Sequence, residues 1–203
     1  MTAALALPAE QSHVCSGDQP VVLSEVYRPE VNLVYWQRQA EPEALSYARF
    51  LAGPECHFTS KSTVLSEAEV AEWLNDVLPA HPDKAAFSDD VAMLADMFSY
   101  LFELPRIGIR LQVLQQAMCP KFHVDKVPCR LVTTYTGATT EWLSRRASEP
   151  AGSADDIQRV PPQSVVLLKG DGWWENEGRG IVHRSPSASA AEPRVFLSFD
   201  FAN

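Results

Sequence analysis

Hydrophobic and polar positions divide the chain into a helical first half and an extended second half. Val70, Trp73, Leu74, Val77 and Leu78 recur at three- and four-residue spacing, which gathers them on one side of a helix. Ser66-Glu-Ala-Glu69 opens that helix as a capping box, and Pro79 stops it. A second helix is expected to begin at Ser88-Asp-Asp-Val91, where two acids in the first turn would favour the helix dipole. Val91, Leu94, Ala95, Phe98, Leu101 and Phe102 form its apolar stripe, which reads as the cover of a sheet. An earlier helix spans Glu43 to Leu51, with Pro42 at its start and Gly53-Pro54 past its end.

After Pro105 the pattern changes. Ile107 to Met118, Arg130 to Thr136, Ser164 to Leu168 and Arg194 to Phe201 are short, apolar and rich in β-branched residues, as strands are. Two further strands are expected near the start, at Val21-Val-Leu23 and Asn32 to Trp36. Helices first and strands later predict an α+β fold, with N-terminal helices packed on one side of a mainly antiparallel sheet or barrel. Residues 1–20 read as a loose N-terminal segment. Residues 21–203 read as a single domain, with helices mainly in 43–103 and barrel strands mainly in 107–203. The polar stretch Ser144 to Arg159 is an expected excursion between strands, and Ser185 to Pro193 a second one.

Composition narrows the function classes. The 203 residues carry a formal net charge of −9, a poor match for a protein held on phosphate backbones or an anionic membrane. An acidic surface suits a small-molecule substrate or a cationic protein segment. No stretch approaches the ~20 apolar residues of a membrane span. Met1 to Ala9 has no basic lead-in, so a cytoplasmic location is expected. Cys15, Cys56, Cys119 and Cys129 are widely spaced, with no Cys-x-x-Cys pair, and read as buried reduced thiols. No Walker loop, nucleophile elbow or Rossmann fingerprint is present.

The candidate chemistry lies in Cys119-Pro-Lys-Phe-His-Val-Asp-Lys-Val-Pro-Cys129. In extended chain, side chains two apart share a face, so His123 and Asp125 aim an imidazole and a carboxylate at one point. His183, in Gly180-Ile-Val-His-Arg-Ser-Pro186, is the candidate second imidazole. Two His and one carboxylate leave open positions on the metal, which is the pattern of non-haem Fe(II) oxygenases. A structural zinc site would need a fourth ligand, for which Cys119 and Cys129 are the nearby thiols. Arg194 opens the last strand, where Arg194, Phe196, Ser198 and Asp200 share one face. Arg194 and Ser198 therefore point the same way, and the planar guanidinium matches a carboxylate with two parallel hydrogen bonds. Thr134 or Tyr135 would add a hydroxyl to the same carboxylate; adjacent strand residues face opposite ways, so only one of them can. Trp173 and Trp174 precede His183 and are candidates for the pocket mouth, or for a cap on the barrel end. His13, His57 and His81 have no such setting and read as structural or surface residues.

Phe122-His-Val-Asp-Lys-Val-Pro-Cys-Arg-Leu-Val-Thr-Thr-Tyr-Thr-Gly137, continued by Thr140-Glu-Trp-Leu143, resembles an uncharacterised bacterial family known as domain of unknown function eighteen twenty-six. Leu168-Lys-Gly-Asp171 and Val182-His-Arg-Ser-Pro186 fit it too, and the resemblance runs from about Val21 onward. It implies no assigned reaction, only a setting near bacterial zinc homeostasis. More widely, the order His-x-Asp, distant His, Arg resembles the Fe(II)/2-oxoglutarate-dependent oxygenases. That resemblance implies a cupin-like double-stranded β-helix, or jelly roll. It also implies Fe(II) on His123, Asp125 and His183, and 2-oxoglutarate as cosubstrate on Arg194. Two departures stand out: Phe196 replaces the Ser or Thr that many members carry two residues after the Arg, and Gly137-Ala-Thr139 replaces their paired glycines. The competing expectation is a non-catalytic metal-binding protein of the same fold, with zinc as the alternative metal.

Overall fold

The computed structural model describes residues 13–144 and 156–202. Most of residues 1–20, and of the excursion expected between Ser144 and Arg159, lie outside the described residues. Within the described part, the expected loose start is already ordered. β1 (Val14–Gly17) pairs in parallel with β2 (Leu33–Trp36). The strand expected at Val21-Val-Leu23 is instead part of a 3-10 helix, Pro20–Tyr27. Pro20 presets its first turn, and only Leu23 and Val26 of its residues are buried.

α1 (Pro42–Ala52) follows. β3 (Ser60–Leu65) lies outside the expected strands, because its Ser-Lys-Ser-Thr start lacks the apolar content of a buried strand. Ser66 and Glu69 form the predicted capping box at the start of a short 3-10 turn, and α2 (Val70–Val77) continues from it. α3 (Lys84–Phe102) begins a turn earlier than Ser88. Asp89 and Asp90 therefore do not serve its dipole in the first turn; Asp90 accepts hydrogen bonds from Arg38 and from the Tyr135 hydroxyl. Glu103 ends α3 in a left-handed conformation.

The remaining strands are β4 (Ile107–Leu114), β5 (Cys129–Thr136), β6 (Glu141–Leu143), β7 (Ile157–Arg159), β8 (Val165–Lys169), β9 (His183–Arg184) and β10 (Arg194–Phe201). Among the described residues they form a seven-stranded sheet, β1-β2-β8-β5-β10-β4-β3, and a three-stranded sheet, β7-β6-β9. The small sheet gains a fourth member through a mutual backbone pair between His123 and His183. From β4 onward the chain visits large, small, large, small, small, large, small and large sheet in turn. That winding is a double-stranded β-helix, with β8-β5-β10-β4 facing β7-β6-β9 and the His123 segment. β1, β2 and β3 widen the large sheet at its two edges.

Two cores result. The larger lies between the helices and the large sheet, where Phe87, Val91, Leu94 and Phe98 of α3 meet Ile109, Leu131, Leu197 and Phe199. Trp173 joins it from the sheet's end, packing its ring on Tyr27 and Phe102. The smaller lies between the sheets, with Val132, Leu168 and Phe196 against Trp142. Among the described residues, no helix is long and apolar enough to cross a membrane.

Candidate metal centre

The segment between β4 and β5 carries the first two candidate ligands. It is not a strand; one backbone pair fixes it, with His123 N–H donating to His183 O at 3.0 Å and His183 N–H to His123 O at 2.9 Å. The pair sets the two imidazoles side by side, ring centroids 4.6 Å apart. Each ring is oriented by a backbone carbonyl: Nδ1 of His123 lies 2.9 Å from Lys121 O, and Nδ1 of His183 lies 3.1 Å from Ile181 O. With Nδ1–H donating there, both Nε2 atoms are left as ligand lone pairs. Asp125 stands between them, its oxygens 3.5 Å from His123 Nε2 and 3.6 Å from His183 Nε2. The three ligand atoms all lie within 4.8 Å of one another. Burial holds the His183 imidazole below its ordinary pKa, more than the neighbouring Asp125 carboxylate raises it. The neutral, metal-binding form is thereby favoured.

The aspartate is itself held. Arg130 Nη1 donates to Asp125 Oδ2 at 2.8 Å, while its Nε and Nη2 donate to Asp200 at 2.7 and 3.2 Å. The loop after β8 presses on the ligand segment from behind: Asp171 N–H donates to Asp125 O, and the Asp171 carboxylate accepts from Lys126, Gly178 and Gly180. A Cβ on Gly170 would lie 2.6 Å from Asp125 O, and one on Gly180 only 2.4 Å from Val124 Cγ1, so that approach requires glycine.

Arg194 lies almost wholly buried, at 1% exposure. Its guanidinium donates to Thr134 Oγ1, Thr140 Oγ1 and Ser185 Oγ at 2.9 to 3.3 Å and stacks 4.2 Å over the Phe196 ring. All these partners are neutral. Among the described residues no carboxylate faces it, and burial alone pulls its pKa down to about 10, so it remains charged at neutral pH. Gly137 makes this placement possible: it sits at φ +80°, and a Cβ there would lie 2.9 Å from Arg194 Cα.

Thr134, not Tyr135, faces this site. Opposite Val195 and Phe196, β5 carries an extra residue, with Val195 opposite Thr136 and Phe196 opposite Thr134. Tyr135 turns into the helix-side core, where its hydroxyl donates to Asp90; the alternative that put it on the cosubstrate is excluded. Ser198 lines the pocket, as parity predicts. Neither tryptophan does: Trp173 belongs to the helix-side core and Trp174 is 84% exposed. All four cysteines are free thiols, but only Cys129 is buried, with its thiol pKa raised by burial; Cys119 is exposed, Cys15 and Cys56 are half-buried, and the metal-ligand group among the described residues contains no cysteine. His13 Nε2 lies 2.7 Å from Ser144 O, and His81 stacks on Phe50.

His123, His183, Arg194 and Ser198 border one pocket of about 430 Å³, including its open mouth. Thr140, Ser185, Arg130 and Arg110 also line it, although sequence alone assigns none of them a role in the site. Arg130 shares a strand face with Thr134, so its side follows once the pairing of β5 with β10 shows which face Thr134 takes.

No curated protein matches the chain. Among solved structures, the rice dioxygenase for auxin oxidation aligns at 16% identity over 84% of this chain and 73% of that one, with a TM-score of 0.48. JOX2 in complex with 2OG, Fe and JA aligns at 11% identity over 92% and 73%, with a TM-score of 0.49. A Pseudomonas putida prolyl-4-hydroxylase aligns at 11% identity over 90% and 98%, with a TM-score of 0.44. These are distant likenesses, and the fold assignment rests on the strand order above. The family described as "Protein of unknown function (DUF1826)" matches residues 17–200, nearly the whole chain, and the chain belongs to that family.

Proposed function

We propose that the protein is a non-haem Fe(II)/2-oxoglutarate-dependent oxygenase of the hydroxylating type. One observation carries the reading: the two imidazoles of a two-His, one-carboxylate group border the same pocket as a buried guanidinium that faces no acid. The donor set fits Fe(II), because three ligands on one side leave sites for a chelating cosubstrate and dioxygen. The guanidinium fits a carboxylate, because a buried unpaired charge is costly and an incoming anion relieves it.

His123, Asp125 and His183 would hold the metal. Bound iron would supply oxygen activation, in which 2-oxoglutarate, dioxygen and substrate R–H become succinate, carbon dioxide and R–OH. Arg194 would clamp the distal carboxylate of the keto acid, with Thr134, Thr140 and Ser185 fixing the plane of its guanidinium. Arg130 donates to Asp125 Oδ2 and so fixes the orientation of the carboxylate that would serve as the third ligand. Phe196, Val132 and Leu168 keep water from the pocket floor.

The competing reading, a non-catalytic zinc or iron handler, accommodates the three ligands but gives Arg194 no task. The test is metal analysis with a 2-oxoglutarate titration under anaerobic conditions, followed by admission of oxygen. Slow succinate formation without added substrate, and loss of keto-acid binding in Arg194→Ala with metal retained, are the expected results. Tight zinc binding with no 2-oxoglutarate binding would favour the competing reading.

A further inference from the structure

The wall of the pocket is cationic although the chain is acidic. Arg110, Arg130, Arg184 and Arg194 border it, and among the described residues no acidic side chain does; the Asp125 carboxylate lies behind the imidazoles. Three of the four are committed. Arg130 holds Asp125 and Asp200, Arg184 donates to Glu141 at 2.6 Å and lies 4.3 Å over Phe122, and Arg194 is fixed by hydroxyls. Glu141 is taken up as well, since Arg184 and Arg159 hold its carboxyl low against the opposing effect of burial. Arg110 alone is exposed and, among the described residues, has no ion pair or side-chain hydrogen bond.

Its place in the sheet gives that guanidinium a direction. Arg110 is directly opposite Ser198 on β10 and Ser62 on β3, so the three side chains share the pocket face. Towards the β3 edge that face is open: Ser60, Ser62 and Val64 are all exposed. A shelf thus runs from the metal ligands across Ser198 to Arg110 and out to solvent. Arg194 and Ser198 are four residues apart along β10, roughly 13 Å. An anion at Arg110 and a keto acid at Arg194 would therefore occupy separate places. Between them the floor is apolar, with Val132, Leu168 and Phe196.

We infer that Arg110 is the substrate-anchoring residue, and that the substrate is a small molecule with an apolar body and a carboxylate. This rests on the oxygenase reading for its chemistry but not for its geometry. The guanidinium offers two parallel N–H groups to the carboxylate, Ser198 offers a neutral hydroxyl, and the apolar floor takes the body towards the metal. One uncommitted cation matches one negative charge, which favours a monocarboxylate.

The experiment titrates hexanoate, cyclohexanecarboxylate and 3-phenylpropionate, each beside its primary amide, into the anaerobic full chain with Fe(II) and saturating 2-oxoglutarate. The expected result is at least one acid binding about tenfold or more tighter than its amide, with that preference lost in Arg110→Gln and 2-oxoglutarate affinity retained. Should no acid exceed its amide, or should the preference survive in Arg110→Gln, the inference is overturned. A wild-type chain that binds no 2-oxoglutarate overturns the oxygenase reading instead. The acid–amide comparison is then made with Fe(II) alone, and a preference abolished by Arg194→Met but not by Arg110→Gln would reject Arg110 as the anchor.

Discussion

The two faces of the seven-stranded sheet have opposite characters although they are built from the same strands. On β10, Val195, Leu197 and Phe199 enter the helix-side core, while Arg194, Phe196 and Ser198 border the pocket. On β5, Leu131 and Tyr135 go one way and Arg130, Val132 and Thr134 the other. The first face is held by apolar burial, while the second adds to its smaller apolar core a set of hydrogen bonds among charged and hydroxyl groups. Stability and chemistry are therefore divided at a period of two residues, and a substitution should affect one far more than the other.

The largest expected effect is on the pocket face. Asp125→Ala or His183→Ala should remove stoichiometric metal binding, because two remaining ligands cannot hold the ion, while circular dichroism stays unchanged. Phe98→Ala, on α3, should do the reverse: a loss of about 3–5 kcal/mol in denaturant melts with metal affinity intact in the folded fraction. A metal-binding loss in Phe98→Ala at low denaturant would break the division.

Lys169 is a charged exception within the helix-side face. Its ammonium is buried at the end of β8, donating to Arg28 O at 3.0 Å and lying 4.9 Å from the Trp173 ring. Burial brings its pKa down from 10.5 to about 8. Below pH 8 both folded and unfolded chains carry the proton, and the folded state bears the whole desolvation penalty. Between about 8 and 10.5 the unfolded chain keeps the proton that the folded chain has released, so stability rises with pH. Wild type should gain up to about 3 kcal/mol over Lys169→Met between pH 8 and 10.5, read from paired denaturant melts.

Arg130→Leu should weaken metal binding by about 10- to 100-fold, the cost of freeing Asp125 to rotate. Equal metal affinity in wild type and variant would show that the Asp171 loop alone positions the carboxylate. The smallest effect is expected for Arg194→Met. It removes a buried charge that faces no acid, so thermal stability should change by less than about 1.5 kcal/mol, although 2-oxoglutarate binding disappears.

Much of this is legible in the sequence, for identifiable reasons. The triad candidates and Arg194 stand out because His123 and Asp125 lie two apart in one short segment, while His183 and Arg194 open strands β9 and β10. Strands β4, β5, β8 and β10 are buried on the helix side and carry the apolar pattern that marks them. β3 escapes that pattern because it is an edge strand with exposed Ser60 and Ser62. The segment Val21-Val-Leu23 misleads because its β-branched content suggests a strand where Pro20 starts a 3-10 turn. The choice between Thr134 and Tyr135 needs the bulge against β10, which depends on pairing and not on local sequence. Arg110 and Ser185 enter the site only through strand order and a loop that returns over the barrel.

The reciprocal backbone hydrogen bonds between His123 and His183 carry a last implication, for the order of events as the protein forms. A nascent chain that has not yet delivered residue 183 offers the ion one imidazole and one carboxylate, a weak and unselective pair. On the proposed function, full-strength capture would then wait until the two sheets have closed on each other. Metal uptake followed during refolding should trail closure of the barrel and never lead it.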